Sequence, residues 1–330
     1  MLSKNLIEFA AKNYGFDIDD FKVEYVTKWG NPPKEIYTFV KDCKKYIIRF
    51  DKVSNPDEYI RKTGVGIGFM SYLFENNVSV AMPLRANNGE LIISTRENGE
   101  NYIIISIEMV SGCHWDKNDP DKWNEKIFFN WGRTMGNMHR LTKDYQPADA
   151  YGFQTNIFEC LKTYPIVYKA AQELVDEITA LPKDKDSFGL IHGDMHPDNF
   201  YIDGDKINVF DFGDSQYGWF VLDIGIALFH ALWWGRKDNA GNSFTNAIIE
   251  NFMKGYLSSN RLSVFWISKI PMFMKYRQIS AFIPWFFNPE DTDNPHQKEW
   301  KYNIENDILF DGVDLKSRSV FIYPHEPVDL

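Results

Sequence analysis

The chain has 330 residues, room for about two domains or lobes. Its 44% hydrophobic and 25% charged content exclude wholesale disorder and argue against a membrane protein. Its 36 basic against 46 acidic residues, a net charge of -10, disfavour a nucleic-acid-binding footprint.

Lys4, Glu8 and Lys12 interrupt the apolar residues of the N-terminus, which reads as an amphipathic helix rather than a signal peptide. Phe21, Val23 and Tyr25 then alternate with polar neighbours, and Trp29-Gly30-Asn31-Pro32-Pro33 breaks the run before a second strand from Ile36 to Val40. After a turn at Asp42-Cys43-Lys44, Tyr46 to Phe50 reads as a third strand. Ser54-Asn55-Pro56 opens a helix expected to run to about Glu75, where Asn76-Asn77 ends it. The turns Asn88-Gly89 and Asn98-Gly99 separate strands around Leu91 to Ser94 and Tyr102 to Met109. Together these predict a five-stranded, largely antiparallel sheet with one inserted helix.

Beyond Ser111-Gly112 the pattern turns helical. Asp119-Pro120 is predicted to start a helix whose apolar positions Trp123, Ile127, Trp131, Met135 and Met138 recur at helical spacing, and a second helix is predicted over about Glu159 to Ala180. Residues Gly218 to Gly235 are nearly all apolar but contain Asp223 and His230, and are read as a buried core helix, not a membrane span. The lobes are expected at 1–110 and 111–330. Cys43, Cys113 and Cys160 are widely spaced with no CxxC pair, so neither a disulfide framework nor a zinc site is expected and a cytoplasmic location is.

The chemistry concentrates between Ile191 and Asp214. Tyr201-Ile202, the turn Asp203-Gly204-Asp205 and Ile207 to Phe210 read as a short hairpin. Pairing Ile202 with Ile207 sets Asn199 opposite Phe210 and beside Asp211, so two oxygen ligands converge as Mg2+ requires when phosphates and water complete its shell. Asp194, five positions before Asn199, projects from the preceding loop toward the same point, where a carboxylate orients an attacking hydroxyl and accepts its proton.

These residues resemble a known family. His192-x-Asp194-x-x-x-x-Asn199 with Asp211-Phe212-Gly213 is similar to the catalytic-loop and metal-binding motifs of kinases, and His192-Gly193-Asp194-x-His196-x-x-Asn199 resembles the signature of the aminoglycoside phosphotransferase and choline kinase group. The resemblance spans Phe21 to about Leu232, and Asp211-Phe212-Gly213-Asp214, Gly218-Trp219 and Asp223-Ile224 resemble its bacterial branch of stress-response and spore-coat kinase-like proteins. It implies an α+β, protein kinase-like two-lobed fold, with a small antiparallel sheet lobe and a larger helical lobe. It also implies Mg2+ and ATP, a catalytic Asp194, and metal ligands Asn199 and Asp211. Gly30 and Asn31 would cover the nucleotide, Arg49 would contact its phosphates, and the Glu108, Met109 and Val110 backbone would bind adenine.

The other members have structural readings. His192 and His196 read as loop-holding hydrogen-bonding residues, Asp223 as a brace, and Asp214 either as metal-site support or as a solvated turn residue. Two departures stand out. The glutamate that usually pairs with the third-strand cation is missing from Thr63-Gly64-Val65-Gly66-Ile67-Gly68, leaving Glu58 or Asp57 as substitutes, and Gly213 stands where near relatives often carry an acid. The expected activity is phosphoryl transfer to a hydroxyl of a small molecule, with no nucleic-acid or membrane partner. The acceptor is placed against Trp233, Trp234, Trp285 or Phe286, with Glu290 and Asp291 suited to an amine. The alternative is a nucleotide-binding pseudokinase that acts by interaction.

Overall fold

A computed structural model describes residues 2–17, 24–29, 34–147, 150–234 and 242–286. Gly30, Asn31, Glu290 and Asp291 lie outside the described residues, as do the side chains of Trp285 and Phe286.

Helix α1 (Lys4–Tyr14) begins where the Ser3 hydroxyl accepts the Leu6 N–H and ends at Gly15 in the left-handed conformation. Strands β1 (Glu24–Trp29), β2 (Lys34–Lys41) and β3 (Lys44–Val53) form an antiparallel meander, with Asp42 and Cys43 both at positive φ in the tight turn between β2 and β3. Helix α2 (Pro56–Glu75) follows, then β4 (Met82–Pro83), β5 (Ile93–Glu97) and β6 (Glu100–Glu108). The sheet therefore has six strands, in the order β1-β2-β3-β6-β4 with β5 also beside β6. The sixth, β4, is two residues long, too short for alternation to reveal it. On β3 the side chains of Tyr46, Ile48 and Phe50 pack against Leu6, Ala10 and Tyr14 of α1 in a small separate core.

The helical lobe holds the main core. Helix α3 (Glu125–Thr142) starts later than Asp119-Pro120 suggests, because the Asp119 carbonyl accepts the Lys122 and Trp123 N–H groups in a turn and Asn124 provides the cap. Its predicted apolar stripe, Trp123 to Met138, is buried. The single helix expected over Glu159 to Ala180 is two pieces, a 3-10 turn at Ile157–Leu161 and α4 (Pro165–Thr179), since Pro165 forces Tyr164 out of the helical region. Strand β7 (Phe188–Ile191) leads into the catalytic-loop segment. The hairpin of β8 (Phe200–Asp203) and β9 (Lys206–Val209) follows, then β10 (Gln216–Trp219), which pairs with β7 and takes Gly218 and Trp219 out of the expected core helix. That helix is α5 (Phe220–Trp234), buried from Phe220 through Ala231. Helices α6 (Asn242–Leu257), α7 (Val264–Ile267) and α8 (Ile270–Phe286) complete the described chain, and none of the described helices is long and apolar enough to cross a membrane.

The glycine run of α2 has a packing role. A Cβ on Gly66 would overlap the backbone carbonyl oxygen of Phe212, so α2 lies against the segment that carries Asp211. This close contact falls on the run where the usual glutamate is missing. Gly66→Ala is expected to lower Tm through a clash worth about 1–3 kcal/mol, despite alanine's better helix propensity. Gly64, whose Cβ would meet only the Ile92 side chain at 3.9 Å, is the control. Gly64→Ala should leave Tm unchanged or raise it, and thermal melts of the two variants check the contrast.

Candidate active site

The segment after β7 is held from below by a buried carboxylate. Asp223 accepts the Gly193 N–H at 2.7 Å on Oδ1, and on Oδ2 the His192 N–H at 2.8 Å and the His139 Nε2–H at 3.2 Å. His139 Nδ1 in turn accepts the Tyr256 hydroxyl at 2.9 Å, and Asn260 donates to that hydroxyl at 3.0 Å. The chain from Asn260 to Gly193 thus satisfies every polar atom it buries. Gly193 has φ +84, and a Cβ there would overlap the Asp214 carbonyl oxygen, so the loop requires glycine on two grounds. His192 donates through Nε2 to the Phe210 carbonyl at 3.1 Å and accepts the Asp194 N–H on Nδ1 at 3.2 Å. Both ring nitrogens are engaged, which leaves none for a reacting proton.

Asp194 follows Gly193 with its side chain largely buried against α8 and His196. Its Oδ1 lies 2.5 Å from Arg277 Nη2, and its Oδ2 lies 3.2 Å from both His196 Nε2 and Asn199 Nδ2. Burial works to raise its pKa, but Arg277 and His196 outweigh it and hold the carboxyl below the ordinary value. The Asn199 amide also donates to the Asp194 carbonyl at 2.8 Å, so its NH2 is engaged and its Oδ1 remains available as a ligand.

The hairpin register is Ile202 to Ile207 and Phe200 to Val209, and the Phe210 N–H donates to the Asn199 carbonyl at 3.0 Å. Asn199 and Asp211 therefore flank the same end of the hairpin. Asp211 has φ 61 and ψ 66, a left-handed conformation costly for a non-glycine residue, and its carboxylate has no hydrogen-bond partner among the described residues. Asp214 stands nearby. It reaches solvent but is crowded by neighbouring atoms, and that desolvation, with Asp194 and Asp211 close by, raises its pKa.

Asp211 and Asp214, unlike Asp194, have no ion-pair partner among the described residues and are short of positive charge. Among the described residues no group of three or more His, Cys, Asp or Glu is arranged to hold a metal by itself. The donor set of one carboxylate and one amide oxygen fits a hard divalent ion that shares its shell with phosphates. Because the Asp214 pKa is raised on folding, its ionised form opposes folding, and stability is lost as pH rises through the folded pKa. Asp214→Asn should therefore raise the Tm of the nucleotide-free chain at pH 7, by a margin that shrinks as pH falls, as a Tm series against pH would read.

On the sheet side, Arg49 Nε lies 2.9 Å from Asp51 Oδ2, two positions along the same strand. Glu58 does not fill the place of the missing helix glutamate, since it pairs with Asn55 at the start of α2. Tyr59 of α2 lies against Asp51, and burial together with that charge pushes its hydroxyl up to about 12. At the hinge, the Met109 N–H donates to the Lys45 carbonyl at 2.8 Å, which leaves Met109 only its carbonyl for a ligand. A cavity of about 850 Å3 opens against Glu108, Met109 and Val110, with Val80, Tyr201 and Asn208 among its other walls.

Asp194 also meets residues that no motif signalled. Arg277 of α8 reaches Asp194 across 83 positions of sequence, and its Nε donates to His230 Nε2 at 2.9 Å. Trp234 lies against His230, ring centroids 4.2 Å apart, and against His196 at 5.1 Å, so this expected acceptor residue borders the Asp194 pocket. Trp233 packs on Phe229 at 5.6 Å.

A profile described as the phosphotransferase enzyme family matches residues 91–261, just over half of the chain and the whole of the site from the hinge to α6. The chain belongs to this phosphotransferase enzyme family. Amicoumacin kinase of Bacillus subtilis (strain 168) is 32% identical over 292 residues, 82% of this chain and 81% of that protein. The solved structure of amicoumacin kinase hAmiN in complex with AMP-PNP, Ca2+ and Ami superposes with a TM-score of 0.80 at 24% identity, over 94% of this chain and 96% of that one. A microcompartment-associated aminopropanol kinase superposes with a TM-score of 0.66 at 17% identity, over 92% and 95%. This phosphotransferase is accordingly an ATP-dependent kinase that acts on a hydroxyl of a small molecule, and the reading as a purely interacting pseudokinase is set aside.

Proposed function

We propose that this kinase moves the terminal phosphoryl group of Mg-ATP to a hydroxyl of an amine-bearing small molecule of the amicoumacin kind, in the cytoplasm. The observation that carries the reading is the meeting of Asp194, the free Asn199 Oδ1 and the unpartnered Asp211 at one end of the β8-β9 hairpin. The 32% identity to amicoumacin kinase over four-fifths of both chains supports the choice of acceptor.

In this mechanism the sheet lobe, residues 1–110, holds the nucleotide and residues 111–330 hold the acceptor and the catalytic groups. Asp194 orients the acceptor hydroxyl and takes its proton as the new phosphorus–oxygen bond forms. Asn199 and Asp211 would hold the divalent ion, which neutralises charge on the phosphates. Arg49 contacts the phosphates from β3, and the Glu108 to Val110 backbone receives the base. His192, His196 and Asp223 keep Asp194 in place, and Asp214 supports the metal end. The acceptor lies along Trp234, where an aromatic face suits an amine.

Incubating the chain with Mg-ATP and amicoumacin, aminopropanol, homoserine, or amine-free alcohols such as glycerol and glucose, and reading phosphoryl mass gain, tests the proposal. Phosphorylated amicoumacin is the expected product. Turnover of only amine-free alcohols would contradict the acceptor class.

A further inference from the structure

We propose that Arg277 of α8 meets the acceptor oxygen at the catalytic carboxylate and that His230 aims it, a role that rests on the phosphoryl-transfer reading above. The hydrogen-bond inventory of Asp194 carries this. Its Oδ2 accepts the Asn199 amide and lies 3.2 Å from His196 Nε2, which crowds that oxygen with two nitrogens, while Oδ1 receives only Arg277 Nη2. The less crowded position for an incoming hydroxyl is the second lone pair of Oδ1, beside the guanidinium.

Arg277 is held for that task. Its Nε donates to His230, and of its five N–H groups three have no partner among the described residues. His230 is 2% exposed, and with Nε2 accepting from Arg277 its proton sits on Nδ1, which is buried without a partner. Burial and the adjacent Arg277 keep that ring neutral. An unsatisfied buried donor and three free guanidinium N–H groups flank the carboxylate, and Trp234 and His196 pack on the same imidazole. Residue 277 also lies beyond the span 91–261 that matches the family profile.

Among the described residues Arg277 is the one Lys or Arg side chain paired with Asp194. As the acceptor O–H proton passes to Asp194 Oδ1, the oxygen bonds to the γ-phosphorus. The bond from that phosphorus to the bridging oxygen breaks, and its electron pair leaves with ADP. Protonation neutralises Asp194, and the Arg277 charge is then free to pair with the new phosphate ester.

The test uses the full chain and Arg277→Gln, Arg277→Lys and His230→Leu. Mg-AMP-PNP affinity is read by calorimetry, Mg-ATP hydrolysis is read with water as acceptor, and kcat and KM are read for transfer to amicoumacin. Arg277→Gln should cut hydrolysis and transfer kcat by about 100-fold with AMP-PNP affinity within about twofold. Arg277→Lys should recover part of the loss, and His230→Leu should lose about tenfold. Hydrolysis by Arg277→Gln within about threefold of wild type, or a loss of AMP-PNP affinity in step with turnover, overturns the proposal. Wild type that hydrolyses ATP but leaves amicoumacin unmodified contradicts the acceptor assignment alone, and the hydrolysis series still decides the role of Arg277. Wild type that does neither contradicts phosphoryl transfer and Arg277 together.

Discussion

Asp223→Ala is expected to lower the free energy of unfolding by about 3–5 kcal/mol and to abolish measurable phosphoryl transfer. The Asp223 carboxylate is fully buried and accepts from two backbone N–H groups and an imidazole. Truncation strands all three donors away from water, at about 1–3 kcal/mol for each unsatisfied group. The loss is coupled to function because two of those donors, His192 N–H and Gly193 N–H, belong to the loop that presents Asp194. Asp223→Asn should fall between wild type and Ala, since an amide offers one accepting oxygen and turns its NH2 toward a donor. Urea denaturation of the three proteins, with turnover measured alongside, reads both effects. A destabilisation under about 1 kcal/mol, or an Ala variant with full turnover, would show that the loop is held by something else.

The catalytic segment was legible in the sequence because its geometry is local. The turn Asp203-Gly204-Asp205 fixes the hairpin register, and that register alone brings Asn199 beside Asp211. The apolar stripe of α3 and the extent of α2 were legible because helical periodicity and capping residues are local signals too. What remained hidden depends on distant backbone. The three glycines of α2 look like a weakness in a helix until Phe212, some 146 positions on, is found against Gly66. The Arg49 partner was sought on α2, where the usual glutamate would stand, whereas Asp51 supplies the charge from the same strand. Arg277 carries no motif at all, and only the packing of α8 beside α5 brings it to Asp194. The start of α3 lies at Asn124 rather than Asp119-Pro120 because the Asp119 carbonyl closes a turn onto the Lys122 and Trp123 N–H groups before Asn124 caps the helix.

Asp194→Asn removes the group proposed to receive the acceptor proton while keeping its shape, and the amide can still accept from Arg277. Transfer should fall about a thousandfold, in line with the contribution of a positioned general base. Nucleotide affinity should hardly change, because Asp194 is occupied by Arg277, His196 and Asn199 rather than by the metal end of the cleft. Asp211→Asn should do the reverse at the binding step, since its carboxylate is the unpartnered ligand that a divalent ion would bridge to the phosphates.

Calorimetric titration of Mg-AMP-PNP into wild type, Asp194→Asn and Asp211→Asn, with turnover of the same samples, separates the two assignments most directly. The expected result is wild-type affinity with lost transfer for Asp194→Asn, and a Mg2+-dependent loss of affinity of tenfold or more for Asp211→Asn. Turnover retained by Asp194→Asn, or equal nucleotide affinity in all three proteins, would contradict the division of labour between base and metal ligand on which the account stands.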